Sequence, residues 1–175
     1  MKTLLLLCAL LLSVTVRADD TPAPAAAQPS PLAQLAALVG GLWVGDVPVA
    51  KGAPPLKLEA RFAWTENQRA IHFESVFVTS TKRAPYTDGL YAWDGAKGKL
   101  VIFYVNNDGD LTEGVITPEG GAMVNELTVT EPSGKTYPVR VRLTMVGPDV
   151  FTNEIFLMKD KAWAPFVTVR YERQK

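Results

Sequence analysis

Hydrophobic and polar positions alternate along this chain in ten short runs that follow one another between residues 42 and 173. Each run is rich in Val, Ile, Thr and aromatic residues and ends at turn-forming residues, as β-strands do. The predicted strands span 42–49, 56–64, 69–79, 86–93, 99–105, 111–116, 122–130, 136–146, 150–158 and 162–173. No helical pattern separates them, and closure of so long a meander removes its exposed edges. The pattern therefore predicts an all-β fold, an antiparallel up-and-down β-barrel of about ten strands.

A short helix is predicted just before the first strand. Ser30 suits the N-cap and Pro31 suits the first helical position, and the sequence LAQLAALVGG that follows is amphipathic and ends in two glycines. The helix therefore leads directly into Gly41-Leu42-Trp43, at the opening of the first strand.

The turns fall into two groups, because successive turns of a meander lie at opposite ends of the barrel. The turns after the second, fourth, sixth and eighth strands are TENQ, GAKG, TPEGG and GP. The others are AKGAPP, STKRAP, NNDGD, EPSGK and KDK, which are on average longer and more charged. This predicts one end closed by tight hairpins and one open end that carries the loops. Ten strands also enclose more space than side chains usually fill, which predicts a cavity.

The N-terminal segment indicates export. Residues 1–18, MKTLLLLCALLLSVTVRA, combine a basic start, an apolar run and a small residue at the end, which is the pattern of a secretory signal peptide. Cys8 lies in the apolar run, but the residues before it lack the small residue that bacterial lipoprotein signals place just ahead of their acylated cysteine. We therefore expect a soluble periplasmic or secreted product. Residues 19–31 are rich in Pro and Ala and predict a linker, which leaves residues 32–175 as one barrel domain.

Composition narrows the classes of partner. Lys2 and Arg17 belong to the predicted signal peptide, so cleavage leaves 16 of the 18 basic residues against 18 acidic ones, a net charge of −2. Cleavage also removes the only cysteine. We therefore expect no disulfide, no nucleic-acid partner, no anionic membrane surface as partner and no membrane span in the mature chain.

These residues resemble the calycin superfamily, which includes the lipocalins and the fatty-acid-binding type of barrel. Lipocalins begin with a short helix followed by Gly-x-Trp, here Gly41-Leu42-Trp43. The resemblance implies that Trp43 lies at the closed end beneath an arginine of the last strand, with Arg173 as first candidate and Arg170 as second. The small exported lipocalin-like domains of bacteria are the most similar group. We expect no C-terminal helix and no disulfide, and these expectations depart from the lipocalin pattern.

Catalytic and metal-binding patterns are sparse. His72 is the only histidine, and it is a candidate haem ligand or general base or, alternatively, an ordinary strand residue. In haem-binding barrels of the resembled superfamily the histidine lies near the chain end, where this chain has none. One histidine without a cysteine cannot make the usual zinc sites. The Gly-x-Ser-x-Gly motif of serine hydrolases is absent from the sequence. The acidic turn NNDGD lacks the downstream glutamate that completes a calcium-binding loop. We expect no enzyme, no metal and no cofactor.

Alternation within the strands gives candidates for ligand contact. In the third and eighth strands we expect the apolar faces to point into the barrel. Arg140 and Arg142 are then expected to point outward. The alternative is that one of them points inward and binds a carboxylate. Polar residues on apolar stripes would orient a ligand or, alternatively, bond to one another or to water. Trp163, beside an expected bulge at Pro165, is placed at the open rim or, alternatively, over the end of the core. The candidates are Phe62, Phe73, Ser75, Phe77, Tyr86, Tyr104, Leu143, Asn153, Ile155 and Trp163.

Two functions follow as hypotheses. The first is an exported carrier or sensor that holds a small apolar or amphipathic ligand in the barrel cavity and carries out no chemistry. The second is an envelope module whose open-end loops bind another protein, such as an enzyme to be inhibited.

Overall fold

A computed structural model describes residues 31–174, which form one 3₁₀ helix and ten β-strands. The predicted signal peptide, the predicted linker up to Ser30 and Lys175 lie outside the described residues. The helix spans Pro31–Leu38. The strands are β1 (Leu42–Val47), β2 (Leu56–Trp64), β3 (Ala70–Val78), β4 (Arg83–Asp94), β5 (Lys99–Asn106), β6 (Leu111–Glu119), β7 (Ala122–Thr130), β8 (Thr136–Gly147), β9 (Val150–Lys159) and β10 (Ala162–Gln174).

The strands form a closed antiparallel barrel. Each strand pairs with its neighbours in sequence, and β1 pairs with β10, where Trp43 lies opposite Arg173. The predicted fold class is therefore confirmed. Observed and predicted strand ends differ by at most three residues. β6, for example, continues to Glu119 because Gly120 and Gly121 both have positive φ and make a two-residue hairpin turn.

Two glycines allow neighbouring strands to approach closely. A Cβ at Gly89 of β4 would overlap with the carbonyl oxygen of Phe103, and a Cβ at Gly114 of β6 would overlap with that of Glu126. Such contacts mark sites where a strand bends sharply. The glycines therefore let the sheet curve strongly enough to close.

The end of the barrel that carries the helix is called the closed end. Leu32, Leu35 and Leu38 are buried, because the three residues per turn of a 3₁₀ helix place every third side chain on one face. Beneath them Trp43 is fully buried, and its indole Nε1 donates a hydrogen bond to the Leu38 carbonyl at 2.8 Å. The ring of Phe151 packs against the indole edge-on, with centroids 4.8 Å apart. The helix and Trp43 thus close this end.

Arg173 joins the helix to the last strand. Its guanidinium carbon lies 4.2 Å from the Trp43 ring centroid, and its NH groups donate to the carbonyls of Ala37, Val39 and Gly40. Its Nε lies 3.1 Å from Asp149 Oδ1, although not in hydrogen-bond geometry. Arg173 therefore binds the carbonyl groups at the end of the helix while it covers the indole.

Among residues 31–174 there is no helix long and apolar enough to cross a membrane.

Candidate functional site

The barrel encloses a cavity of about 150 Å³ between the closed end and the loops. Residues toward the loops, such as Leu58 and Tyr86, are partly exposed, whereas those toward the closed end, such as Phe151 and Tyr171, are buried. The cavity therefore faces the loop end. Its wall consists of uncharged side chains from β2 to β5 and from β7 to β10: Leu58, Ala60, Phe62, Phe73, Ser75, Tyr86, Thr87, Tyr91, Ile102, Tyr104, Asn125, Leu127, Val141, Leu143, Phe151, Asn153, Ile155 and Tyr171.

The structure brings eight of the ten predicted ligand-contact residues together in this wall. They are Phe62, Phe73, Ser75, Tyr86, Tyr104, Leu143, Asn153 and Ile155. Phe77 is not part of the wall; it lies toward the loop end, with its ring 4.3 Å from that of Tyr86. The alternation of β3 and β8 thus places the predicted apolar faces inside the barrel.

Trp163 differs from the expectation, because the structure places it on the outer face of the barrel. The pairing of β10 with β9 shifts by one residue between Pro165 and Val167, and such a shift moves the preceding side chains to the opposite face. The indole lies under the guanidinium of Arg140, whose carbon is 4.7 Å from the ring centroid. The expected bulge at Pro165 is therefore present, but it turns Trp163 away from the cavity.

Both arginines of β8 face outward. Arg140 is 2.7 Å from Glu126, and Arg142 is 3.9 Å from Glu119. An inward arginine that would hold a carboxylate is thereby excluded for both positions. The cavity and the charged outer face of β8 are separate surfaces.

The deep part of the cavity is aromatic. Phe151 and Tyr171 stack with centroids 4.5 Å apart, and Phe73 lies 4.9 Å from Tyr91. Phe151 also contacts Trp43, so the wall of the cavity rests directly on the closed end. Burial raises the pKa of Tyr91 and Tyr171 far above the ordinary value, because an apolar site disfavours the phenolate. These hydroxyl groups therefore stay neutral near pH 7.

Polar side chains of neighbouring strands lie next to one another in the barrel interior. Ser75 Oγ and Thr87 Oγ1 are 2.5 Å apart. Tyr104 of β5 lies opposite Thr112 of β6, and Thr112 opposes the rise that burial causes in the pKa of Tyr104. For Ser75, the alternative that a polar residue bonds to a neighbouring group thus holds.

Two asparagines in the wall differ from these pairs. Asn125 is 4% exposed, and its Nδ2 donates to the carbonyls of Met123 at 3.3 Å and Val141 at 3.2 Å. Within residues 31–174 the buried Oδ1 atoms of Asn125 and Asn153 have no hydrogen-bond partner. Asn153 was predicted and Asn125 was missed, although Asn125 alternates with Met123, Leu127 and Val129 on the apolar stripe of β7. That alternation is the signal that would have identified it.

His72 lies on the outer face of β3. Its Nε2 is 2.9 Å from Asp88 Oδ1, and both side chains are substantially exposed. This position separates His72 from the cavity and does not fit the hypothesis of a haem ligand or general base inside the barrel.

We predict that His72→Gln leaves cavity binding unchanged and alters the free energy of unfolding by less than about 1 kcal/mol, because an exposed polar side-chain pair contributes little. Urea denaturation, followed by circular dichroism, and a ligand titration measure the two quantities. A tenfold loss of ligand affinity in the folded variant would contradict this assignment.

A second depression, of about 320 Å³, lies at the closed end between the helix and the β6–β7 turn. Its wall includes Leu38, Met123 and Met145, and it shares Leu143 with the cavity. Within the described part of the chain, its lining residues carry no buried polar atom that lacks a partner. The depression therefore offers no buried group that would orient a ligand, and the interior cavity is the better candidate site.

Fold and cavity together define a ten-stranded antiparallel β-barrel with an apolar interior. No protein-family model and no curated protein matches the sequence. Among solved structures, the chain is similar to Rv2717c from M. tuberculosis, with a TM-score of 0.54 and 13% sequence identity over 82% of this chain and 97% of that one. At this identity the likeness shows a shared fold alone.

Proposed function

We propose that this protein is an exported, non-enzymatic binding protein that holds a small apolar or amphipathic ligand inside its barrel. The observation that carries the proposal is the cavity itself, a mostly apolar wall with a few polar groups, as is typical of small-molecule sites. The resemblance of Gly41-Leu42-Trp43 and Arg173 to the closed end of calycins supports the same function.

The chemistry of the wall supports binding without catalysis. A general acid or base needs a pKa near the working pH, whereas burial raises the pKa of the cavity tyrosines Tyr91 and Tyr171. The histidine is outside, and the lining residues within 31–174 are uncharged. These groups can orient a ligand by hydrogen bonds but are poorly suited to transfer protons at neutral pH.

The size of the cavity limits the ligand. A cavity of about 150 Å³ accommodates a molecule of about the size of benzene. Haem and long-chain fatty acids are larger than this, so they would require the barrel to expand. We therefore propose a compact ligand rather than a long chain.

Export is proposed from the signal-peptide pattern of residues 1–18. Cleavage after Ala18 would give a mature chain that begins with Asp19. N-terminal sequencing of protein recovered from the host's envelope or medium tests this, and a retained Met1 in all recovered protein would contradict it.

Native mass spectrometry of protein purified from its own host tests ligand binding. We predict that the wild type carries a small molecule and that Val141→Phe loses it, because the larger ring projects into the cavity. The matched control is Val146→Phe, the same change at a 59% exposed position of the same strand, which should keep the molecule. A bound mass retained by folded Val141→Phe, or no bound molecule in any sample, would count against the proposal.

A second candidate is an envelope module that binds another protein at the loop end. The observation that favours it is the outer face beside the β9–β10 hairpin, where Phe166 is 67% and Met158 is 41% exposed. Exposed apolar groups of this kind occur at protein interaction sites. A co-purifying polypeptide in the native mass spectrum, lost in Phe166→Ser, would favour this candidate.

A further inference from the structure

We infer that the cavity selects a small, neutral, ring-shaped molecule with an N–H or O–H group that donates a hydrogen bond to Asn125 Oδ1. This inference rests on the proposed function, since it names the chemical class of ligand that the same cavity takes.

The first step is the exclusion of charge. The lining residues that the structure describes are uncharged, and the nearby cations Arg140 and Arg142 pair with glutamates on the outer face. A carboxylate or ammonium group inside the cavity would lose its water without gaining a counter-ion. The wall therefore favours a neutral ligand over an anionic or cationic one of the same size.

The second step is the orientation of the Asn125 amide. Its Nδ2 donates to two backbone carbonyls, those of Met123 and Val141. Rotation of the amide by half a turn would place Oδ1 against both carbonyl oxygens, where it would be repelled. The hydrogen-bond network thus assigns the free atom as the oxygen, which accepts and does not donate.

The third step is the need for a donor. Asn125 Oδ1 is buried in the cavity wall and has no partner among residues 31–174, and buried acceptors are nearly always paired in folded proteins. The hydroxyl groups of Ser75 and Thr87 already bond to one another, and Tyr104 lies opposite Thr112 of the neighbouring strand. The missing donor must therefore come from a molecule inside the barrel. Asn153 Oδ1 offers a second acceptor of the same kind in the same wall.

The fourth step is the shape of the ligand. The buried rings of Phe62, Phe73, Tyr91 and Phe151 form much of the deep wall, and aromatic rings pack well against other rings in offset or edge-on contacts. With a cavity of about 150 Å³, this favours one ring with a small substituent.

Three probes of similar size separate these features. Phenol has a ring and a donor, toluene has the ring without a donor, and benzoate has the ring with a negative charge. Calorimetric titration of the wild type should show phenol binding about fivefold more tightly than toluene, the ratio that one neutral hydrogen bond gives, and benzoate binding most weakly.

In Asn125→Leu, which keeps the branched shape of the side chain but removes the acceptor, phenol and toluene should bind about equally, with toluene still bound. The matched control Asn67→Leu lies in the exposed β2–β3 turn and should keep the preference. Because Asn125→Leu also loses two backbone contacts, the side-chain amide resonance of Asn125 in the wild type gives a second measurement. It should shift with phenol and much less with toluene.

The outcomes separate the two proposals. Equal binding of phenol and toluene, tightest binding of benzoate, or an unchanged preference in folded Asn125→Leu would overturn this inference and leave cavity binding intact. Equal binding would also be expected if a water molecule occupies Asn125 Oδ1. If all three probes fail to bind the folded wild type at saturating concentration, the proposed function itself fails.

Discussion

Replacement of Trp43 by alanine is expected to lower the free energy of unfolding by about 3 to 5 kcal/mol. The indole is fully buried, its Nε1 donates to the Leu38 carbonyl, and its faces and edges contact Arg173 and Phe151. Alanine would leave an apolar cavity and remove the hydrogen bond that joins the helix to the barrel. Because Trp43 packs beneath the buried leucines of the helix, the helix should loosen together with the closed end.

Urea denaturation followed by far-ultraviolet circular dichroism measures this loss without relying on tryptophan fluorescence. Trp93→Ala is the matched control, since Trp93 is 43% exposed and its removal should lower stability by less than about 1 kcal/mol. Because Trp43 is not part of the cavity wall, the folded fraction of Trp43→Ala should bind phenol as the wild type does. A loss below about 1 kcal/mol for Trp43→Ala would mean that this residue does not hold the closed end together.

The strands could be predicted from the sequence because each has one face in the core and one in solvent. Alternation of apolar and polar residues records that difference directly, as in β3, where Ile71 and Phe73 are buried while His72 and Glu74 are not. The pairing of consecutive strands then follows from the short turns. The 3₁₀ form of the N-terminal helix was harder to foresee, although Leu32, Leu35 and Leu38 recur every third residue.

Most of the predicted site depended on the same alternation, whereas Trp163 was placed at the open rim because it follows a charged turn and precedes the expected bulge at Pro165. At that bulge one extra residue reverses the faces, so Trp163 lies on the outer face and not toward the cavity. Asn125 was missed although its place on the apolar stripe of β7 shows that it faces inward. What the sequence does not show is which atom of its amide is left free, because this depends on its partners, the carbonyls of Met123 and Val141.

Replacement of Arg173 by methionine is expected to lower the free energy of unfolding by about 2 to 4 kcal/mol. Methionine keeps most of the length of the side chain, but it loses the charge over the Trp43 ring and the donors to the carbonyls of Ala37, Val39 and Gly40. Those carbonyl groups lie where the helix ends, and a helix end leaves its last carbonyls without internal partners. The substitution therefore acts on the helix as well as on β10.

Arg170→Met is the matched control for this prediction, because Arg170 lies on the same strand three residues before Arg173. The Arg170 side chain is 53% exposed, and its one ion pair within residues 31–174 is with Glu172, at 3.4 Å. Its loss should cost less than about 1 kcal/mol. Arg173→Lys should recover less than half of the stability lost in Arg173→Met, since one ammonium group cannot reach several carbonyls as a planar guanidinium does. Equal stability of Arg173→Met and Arg170→Met in thermal and urea unfolding would show that the charge above Trp43 is dispensable. A large difference between them, with phenol affinity unchanged in both, would assign Arg173 to the closed end alone and keep the cavity independent of it.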